Sequence, residues 1–156
     1  MNRYAIIFLV FNLILNPFKI LLSQNIVSPS AEISALQVVE IQLFALQSND
    51  IKTDLGIKQT WEFAHPRNKQ ATGPYNRFQS MIRSPAYILL LNNNGFETKE
   101  IKNDGLNAEI AVKIDAKDNK SYAYLWRLEK ITEDAVLKDI WMTVGVSNPI
   151  ELASGL

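Results

Sequence analysis

The sequence predicts an α+β domain in which three helices precede an antiparallel sheet of four to five strands. Up to about Ile82 the apolar residues recur every three to four positions, whereas from Ala108 to Glu129 they alternate with polar residues. Helices and strands that are segregated along the chain are typical of α+β domains. A curved sheet wrapped around the helices would bury both the apolar helical stripe and one face of the strands.

The helical half contains three predicted helices separated by breaks. In the first, Leu36, Val39, Leu43 and Leu46 form one apolar stripe, and Asn49-Asp50 ends it. Proline residues mark the later boundaries, because the residue before proline is disfavoured in the α region and proline itself suits the first helical position. The predicted elements are a helix at 31–48, a helix at 54–64, a loop at 67–71 and a helix from Thr72-Gly73-Pro74 to Ser84-Pro85.

The second half contains the predicted strands, which are joined by hairpins. Alternation places Ala108, Ile110, Val112 and Ile114 on one buried face. The short apolar run 86–91 is predicted to be a buried strand, and the nearly all-apolar run 140–146 a central one. The predicted strands are 86–91, 96–101, 108–115, 122–129 and 140–146.

The N-terminal segment is predicted to be separate from the domain. Arg3 precedes an apolar run from Tyr4 to Leu15, which is too short for a comfortable membrane span and is typical of an export signal. We therefore expect a signal peptide or N-terminal anchor at 1–23, a linker at 24–30, a single domain at 31–150 and a flexible tail at 151–156. The expected location is the periplasm, a thylakoid lumen or the extracellular space. The alternative is a membrane anchor formed by residues 4–22.

Composition excludes several functions. The formal net charge is zero, so the chain lacks the basic footprint of a nucleic-acid-binding protein. It has no cysteine and one histidine, which excludes thiol chemistry and argues against a zinc site. We expect no metal and no cofactor.

Aromatic residues and the one histidine are the candidate site residues. Binding pockets are mostly apolar with a few polar groups, as this set would be, although aromatic side chains also dominate ordinary cores. His65 has a pKa suited to proton transfer, but its position before Pro66 favours a capping role at a helix end, where a protonated ring suits the helix dipole. The candidates for lining a ligand pocket are Trp61, His65, Phe78, Tyr87, Trp126 and Trp141.

Several short motifs occur in order along the chain, namely Val39–Leu43, Trp61–Ala64 with Pro66, Thr72–Pro74 with Arg77-Phe78 and Pro85–Tyr87, Tyr124–Trp126, and Trp141–Thr143. Taken together, they resemble the family called domain of unknown function 4864. The likeness spans roughly Leu36 to Val146. The resemblance implies a nuclear transport factor 2-like fold, a cone of helices and curved sheet with a pocket between them, and a cyanobacterial or plastid-type branch. The family has no established activity.

Some enzymes with this cone fold use a buried aspartate and a tyrosine to move a proton beside a carbonyl, which needs an acid on an inward strand position. The predicted faces place Glu109, Asp115 and Glu129 on the opposite side of the sheet. This arrangement disfavours isomerase-type catalysis.

We therefore expect an exported, non-catalytic domain that binds a small apolar molecule or a protein partner. One alternative is an enzyme of unassigned reaction type that uses His65 and Tyr87. The other is an interaction module tethered to the membrane by its N-terminal segment. A homodimer through the sheet face that carries Tyr122, Tyr124 and Trp126 is a further candidate, and no nucleic-acid partner is expected.

Overall fold

A computed structural model describes residues 25–153. The predicted signal peptide or anchor at 1–23 and the end of the predicted tail lie outside this range. The described residues form helices and one mainly antiparallel sheet, which confirms the α+β prediction. The elements are α1 Ala35–Gln47, α2 Leu55–Glu62, α3 Pro66–Thr72, α4 Tyr75–Ile82, a 3₁₀ helix Ile88–Leu90, β1 Gly95–Asn103, β2 Asn107–Asp115, β3 Ser121–Lys130, β4 Trp141–Val146 and β5 Ile150–Glu151.

Helix α1 begins later than predicted because a capping box fixes its first turn. The Ser34 hydroxyl accepts the Gln37 main-chain N–H, and the Gln37 side chain accepts the Ser34 N–H in return. Both of these N–H groups would lack partners within the helix. The helix therefore begins at Ala35 rather than at Ala31.

Helix α3 occupies the segment predicted to be a loop, and that prediction is wrong. Pro66 is its first residue, where its missing N–H costs nothing, and His65 caps it. Polar composition suggested a loop, but an exposed helix is polar too. The proline therefore starts α3 as well as following the end of α2.

The predicted strand at 86–91 is also wrong, because the run bonds to itself rather than to the sheet. The N–H groups of Tyr87 and Ile88 both bond the Ser84 carbonyl, and Leu90 bonds Tyr87 in the same way. The segment forms a 3₁₀ turn that the Tyr124 hydroxyl ties to the sheet through the Ala86 carbonyl at 2.8 Å. A short apolar run does not by itself distinguish a buried strand from a buried turn.

The sheet has the order β1-β2-β3-β4, and β5 pairs with the other end of β3. The alternation predicted for β2 and β3 is confirmed: Ala108, Ile110, Val112 and Ile114 are all buried, as are Tyr124, Trp126 and Leu128. The register shifts by one residue between Glu100 and Lys102 and again between Arg127 and Leu128. Such bulges increase the local twist of a strand.

Strand β4 was predicted to be central but lies at the end of the strand order, so that prediction is wrong. Its outer edge is covered by the segment that leaves α2, through a parallel bridge between Ala64 and Thr143. The Thr143 N–H bonds the Phe63 carbonyl and the Thr143 carbonyl accepts the His65 N–H, both at 2.8 Å. Residues 63–65, rather than another strand, therefore cover this edge of β4.

The core lies between α1 and the inner face of the sheet, which carries Tyr122, Tyr124 and Trp126. The outer face carries cross-strand ion pairs, among them Lys113 with Glu97 at 3.1 Å. The sheet face proposed as a dimer surface is therefore turned towards the helices. Within residues 25–153, no helix is long and apolar enough to cross a bilayer.

Candidate functional site

A cavity of about 210 Å³ lies between the helices and the C-terminal half of the sheet, and we call it the helix–sheet cavity. Its lining is mainly apolar and draws on all four α-helices, the 3₁₀ helix and strands β3 and β4. The lining residues are Leu46, Thr60, Ala64, Asn68, Thr72, Phe78, Met81, Ile82, Tyr87, Leu90, Trp126, Thr143, Gly145 and Val146.

The cavity has an inner part and a mouth. Leu46, Leu90 and Trp126 are at most 1% exposed and form its inner part. Other lining residues, such as Asn68 and Val146, keep some contact with solvent. The mouth therefore lies between α3, α4 and the end of β4.

A buried glutamine on α1 fixes two of the inner lining residues. The Oε1 atom of Gln42 accepts the Trp126 indole N–H at 3.0 Å and the Thr143 hydroxyl at 2.8 Å, and its Nε2 donates to the Thr60 carbonyl at 3.0 Å. An indole N–H only donates and a carbonyl only accepts, so the orientation of the amide is determined. Gln42 is 1% exposed and thus connects α1, α2, β3 and β4 inside the core.

Polar side chains at the mouth bond the main chain around them. The Asn68 amide donates to the Thr143 carbonyl at 3.2 Å, and the Thr72 hydroxyl donates to the Asn68 carbonyl at 2.8 Å. The Tyr87 hydroxyl donates to the Val146 carbonyl at 3.0 Å. Burial raises the pKa of Tyr87, so its hydroxyl stays protonated at neutral pH.

His65 does not line the cavity. Its Nδ1 accepts the Arg67 main-chain N–H at 3.1 Å and caps the N-terminus of α3. Burial lowers the pKa of His65, and the neighbouring Arg67 charge lowers it further against the opposing effect of Glu129. The capping role predicted from sequence is present, but at a helix N-terminus and with a neutral ring rather than at a C-terminus with a protonated one.

The three tryptophans lie in different places. Trp126 lines the cavity, whereas Trp61 packs behind the cavity wall, with its ring centroid 5.0 Å from that of Phe78. Trp141 belongs to the core, with the Lys130 ammonium 5.1 Å from its ring. Of the six predicted pocket residues, the structure brings Phe78, Tyr87 and Trp126 together around the cavity and places Trp61, His65 and Trp141 outside its lining.

A second polar cluster joins the helices away from the cavity lining. Asp54 accepts hydrogen bonds from Arg83 at 2.5 Å, from Asn49 at 3.1 Å and from Gln79 at 3.1 Å. Burial alone would raise the pKa of Asp54, but these donors and the Arg83 charge together lower it. The ion pair holds the end of α4 against the start of α2, which gives Arg83 a structural role.

The described lining residues of the cavity carry no carboxylate, amine or imidazole. Glu109, Asp115 and Glu129 lie on the outer face of the sheet, as predicted, where Glu109 is 3.7 Å from Arg127 and Asp115 is 3.5 Å from Lys113. Among residues 25–153, no three His, Cys, Asp or Glu side chains gather in a way that could hold a metal ion.

A larger surface depression of about 530 Å³ lies where the turn after α1, the 3₁₀ helix and the β2–β3 turn meet. Its lining includes Ile51 and Ile88, which are 82% and 48% exposed. Because its walls face solvent, it encloses a ligand less than the helix–sheet cavity does.

Sequence reasoning missed the polar members of the site, namely Gln42, Thr60, Asn68, Thr72 and Thr143. Only Gln42 left a detectable pattern, because it lies three residues after Val39 and four before Leu46, on the apolar stripe of α1. A glutamine at that position predicts a buried hydrogen-bond partner.

The fold and the cavity define a small α+β domain with a mainly apolar, partly open internal space. The model of the family described as Domain of unknown function (DUF4864) matches residues 29–144, and the chain belongs to this family. No curated protein and no solved structure matches the chain.

Proposed function

We propose that this protein binds a small, mainly apolar molecule in the helix–sheet cavity. The observation that supports the proposal is a cavity of about 210 Å³ with an apolar interior and a solvent-accessible mouth. An engineered apolar cavity of roughly 150 Å³ in another protein is large enough to admit benzene. The expected ligand is therefore a single ring or a short branched chain, because drug-sized ligands occupy about 300 Å³ or more.

The rigid surroundings of the cavity support binding rather than collapse. Gln42 fixes Trp126 and Thr143, and Tyr87 fixes Val146, so these four walls are held by hydrogen bonds as well as by packing. A buried ring of about 150–250 Å² at about 25 cal/mol per Å² would contribute about 4–6 kcal/mol. Because association also costs translational and rotational freedom, this gain is an upper bound, and the tightest dissociation constants expected are tens of micromolar.

The enzyme alternative has less support from the geometry. His65 caps α3 with the nitrogen that a general base would use, and it does not line the cavity with Tyr87. The Tyr87 hydroxyl is bonded to a carbonyl and has a raised pKa. The two candidate proton-transfer groups therefore do not share a site.

Two further proposals accompany this one. We infer from residues 4–15 that the protein is exported, which N-terminal sequencing of the protein purified from its native host would test. We also propose the nuclear transport factor 2-like cone as the class of this fold.

Ligand binding is tested by titrating single-ring molecules, such as indole, cyclohexanol and toluene, into ¹⁵N-labelled protein. The Trp126 indole N–H lies beside the cavity and should shift, whereas the Trp141 indole N–H should not. Val146→Phe places a ring at the mouth and should abolish the shift. Val144→Phe, in the same strand but outside the lining, is the matched control and should retain it.

If the Trp126 resonance stays unchanged at millimolar concentrations of every ligand, the proposal is wrong. A shift that persists in Val146→Phe would place the binding site elsewhere on the molecule.

A further inference from the structure

The hydrogen-bond directions around the helix–sheet cavity indicate which ligands it selects, an inference that rests on the proposed function. Each polar side chain of the lining already donates a hydrogen to the protein. The Thr60 hydroxyl donates to the Gly56 carbonyl at 3.0 Å, and the Thr143 hydroxyl donates to Gln42 at 2.8 Å. At the mouth, the Thr72 and Tyr87 hydroxyls donate to main-chain carbonyls.

The direction of these bonds is set by chemistry. A carbonyl oxygen has no hydrogen to give, so a hydroxyl bonded to one must be the donor. The Thr143 hydroxyl faces the Gln42 Oε1, which also accepts the Trp126 N–H and therefore must be the amide oxygen. What remains on each of these hydroxyls is an oxygen lone pair.

Asn68 follows the same pattern at the mouth. One of its amide hydrogens is used by the Thr143 carbonyl, and its Oδ1 makes no hydrogen bond within the described residues. Thr72 lies four residues further along α3, on the same face of the helix. Helix α3 therefore presents two acceptor oxygens at the mouth, Asn68 Oδ1 and the Thr72 hydroxyl oxygen. The only side-chain hydrogen that these two residues still have to donate is the second amide hydrogen of Asn68.

We infer that the cavity selects apolar molecules that carry a single hydrogen-bond donor, such as an alcohol, a phenol or an indole. The ring or chain occupies the interior beside Leu46, Leu90 and Trp126. The hydroxyl or N–H lies at the mouth and donates to Asn68 or Thr72. A ketone or a carboxylate of the same size brings only acceptors, for which the mouth offers one Asn68 amide hydrogen beside the two acceptor oxygens.

The test compares cyclohexanol with cyclohexanone, which have nearly the same size and shape, by titration followed at the Trp126 indole resonance. One net hydrogen bond is worth about fivefold in affinity, so cyclohexanol should bind about fivefold more tightly. Cyclohexanecarboxylate should bind more weakly than either.

Thr72→Val removes one mouth oxygen without changing the size of the side chain and should reduce this preference. Ser80→Ala is the control, because the Ser80 hydroxyl bonds the Asn76 carbonyl in the same i to i−4 manner on α4, outside the cavity.

Each result has a distinct meaning. If cyclohexanone binds as tightly as cyclohexanol, the cavity binds apolar molecules but the inference is wrong. A preference that is unchanged both in Thr72→Val and in Asn68→Ala overturns the assignment of the ligand hydroxyl to α3. If neither molecule binds, the proposed function fails, and this inference fails with it.

Discussion

Replacing Gln42 by leucine should strongly destabilise the fold, because a single side chain bonds three buried groups. The substitution leaves the Trp126 N–H, the Thr143 hydroxyl and the Thr60 carbonyl without this partner. These groups belong to residues that are 1%, 3% and 7% exposed, so water does not readily replace it. Each buried unsatisfied group costs about 1–3 kcal/mol, which gives about 3–9 kcal/mol before any offset.

Two effects reduce that cost. Leucine buries more apolar surface than glutamine, and the Thr143 hydroxyl can rotate towards another acceptor. We therefore expect the free energy of unfolding to fall by about 2–5 kcal/mol, which is a large part of the stability of a domain of this size.

Urea unfolding followed by tryptophan fluorescence and by far-ultraviolet circular dichroism measures the change. Gln47→Leu on the same helix is the control, since its amide makes only long bonds of 3.3–3.5 Å to Asn93, and it should cost less than about 1 kcal/mol. Adding Thr143→Val removes one of the orphaned groups, so the double variant should lose less than the sum of the single variants.

A loss below about 1 kcal/mol for Gln42→Leu would refute the interpretation, because it would mean that the three groups find other partners. Strictly additive effects with Thr143→Val would refute the hydrogen bond between them.

Other predictions concern Gly56, Asp54 and His65, which do not line the cavity. Gly56→Ala should lower the stability measured by thermal unfolding by about 3 kcal/mol or more, because the added Cβ would lie 2.1 Å from a carbonyl oxygen of α1. Gly145→Ala is the control and should be nearly neutral, because its added Cβ would meet nothing within 4 Å. Equal losses of stability in the two variants would contradict the steric explanation. Asp54 has a lowered pKa, so its contribution to the free energy of unfolding is present above about pH 4 and is lost at lower pH. The difference in stability between the wild-type protein and Asp54→Asn should therefore shrink below about pH 4. A difference that stays constant with pH would contradict a stabilising ion pair between Asp54 and Arg83. His65 also has a lowered pKa, so its contribution to the free energy of unfolding is present above about pH 6.5 and is lost as the pH falls below that value. His65→Asn still caps the helix, so this loss of stability should be absent when the variant is unfolded in urea at different pH values. An unchanged dependence of stability on pH would show that another group titrates.

Local patterns predicted the parts of the fold in which neighbouring residues determine the structure. Strands β2 and β3 alternate strictly between a wet face and a dry face, and the sequence shows that alternation directly. The hairpin predicted between β2 and β3 is present, and in its turn Asn119 adopts a positive φ of 63°.

Contacts between distant residues determined the parts that could not be predicted. The partners of Gln42 lie 18, 84 and 101 residues away along the chain. Likewise, the position of β4 depends on coverage by residues 63–65, which nothing within the strand reveals. Phe78, Tyr87 and Trp126 line the cavity, whereas Trp141 lies in the solid core, and aromatic character alone cannot separate these two surroundings.

The bridge between Ala64 and Thr143 also bears on whether the protein aggregates at high concentration. An uncovered edge strand offers its main-chain N–H and C=O groups to any other chain, and an apolar strand such as β4 would be an aggregation site. The residues that cover this edge lead directly into α3, which also borders the mouth of the cavity. Detachment of α3 together with residues 63–65 would therefore open the cavity and expose the unpaired edge of β4 at the same time. A ligand that holds α3 in place would thus also protect the protein from aggregation.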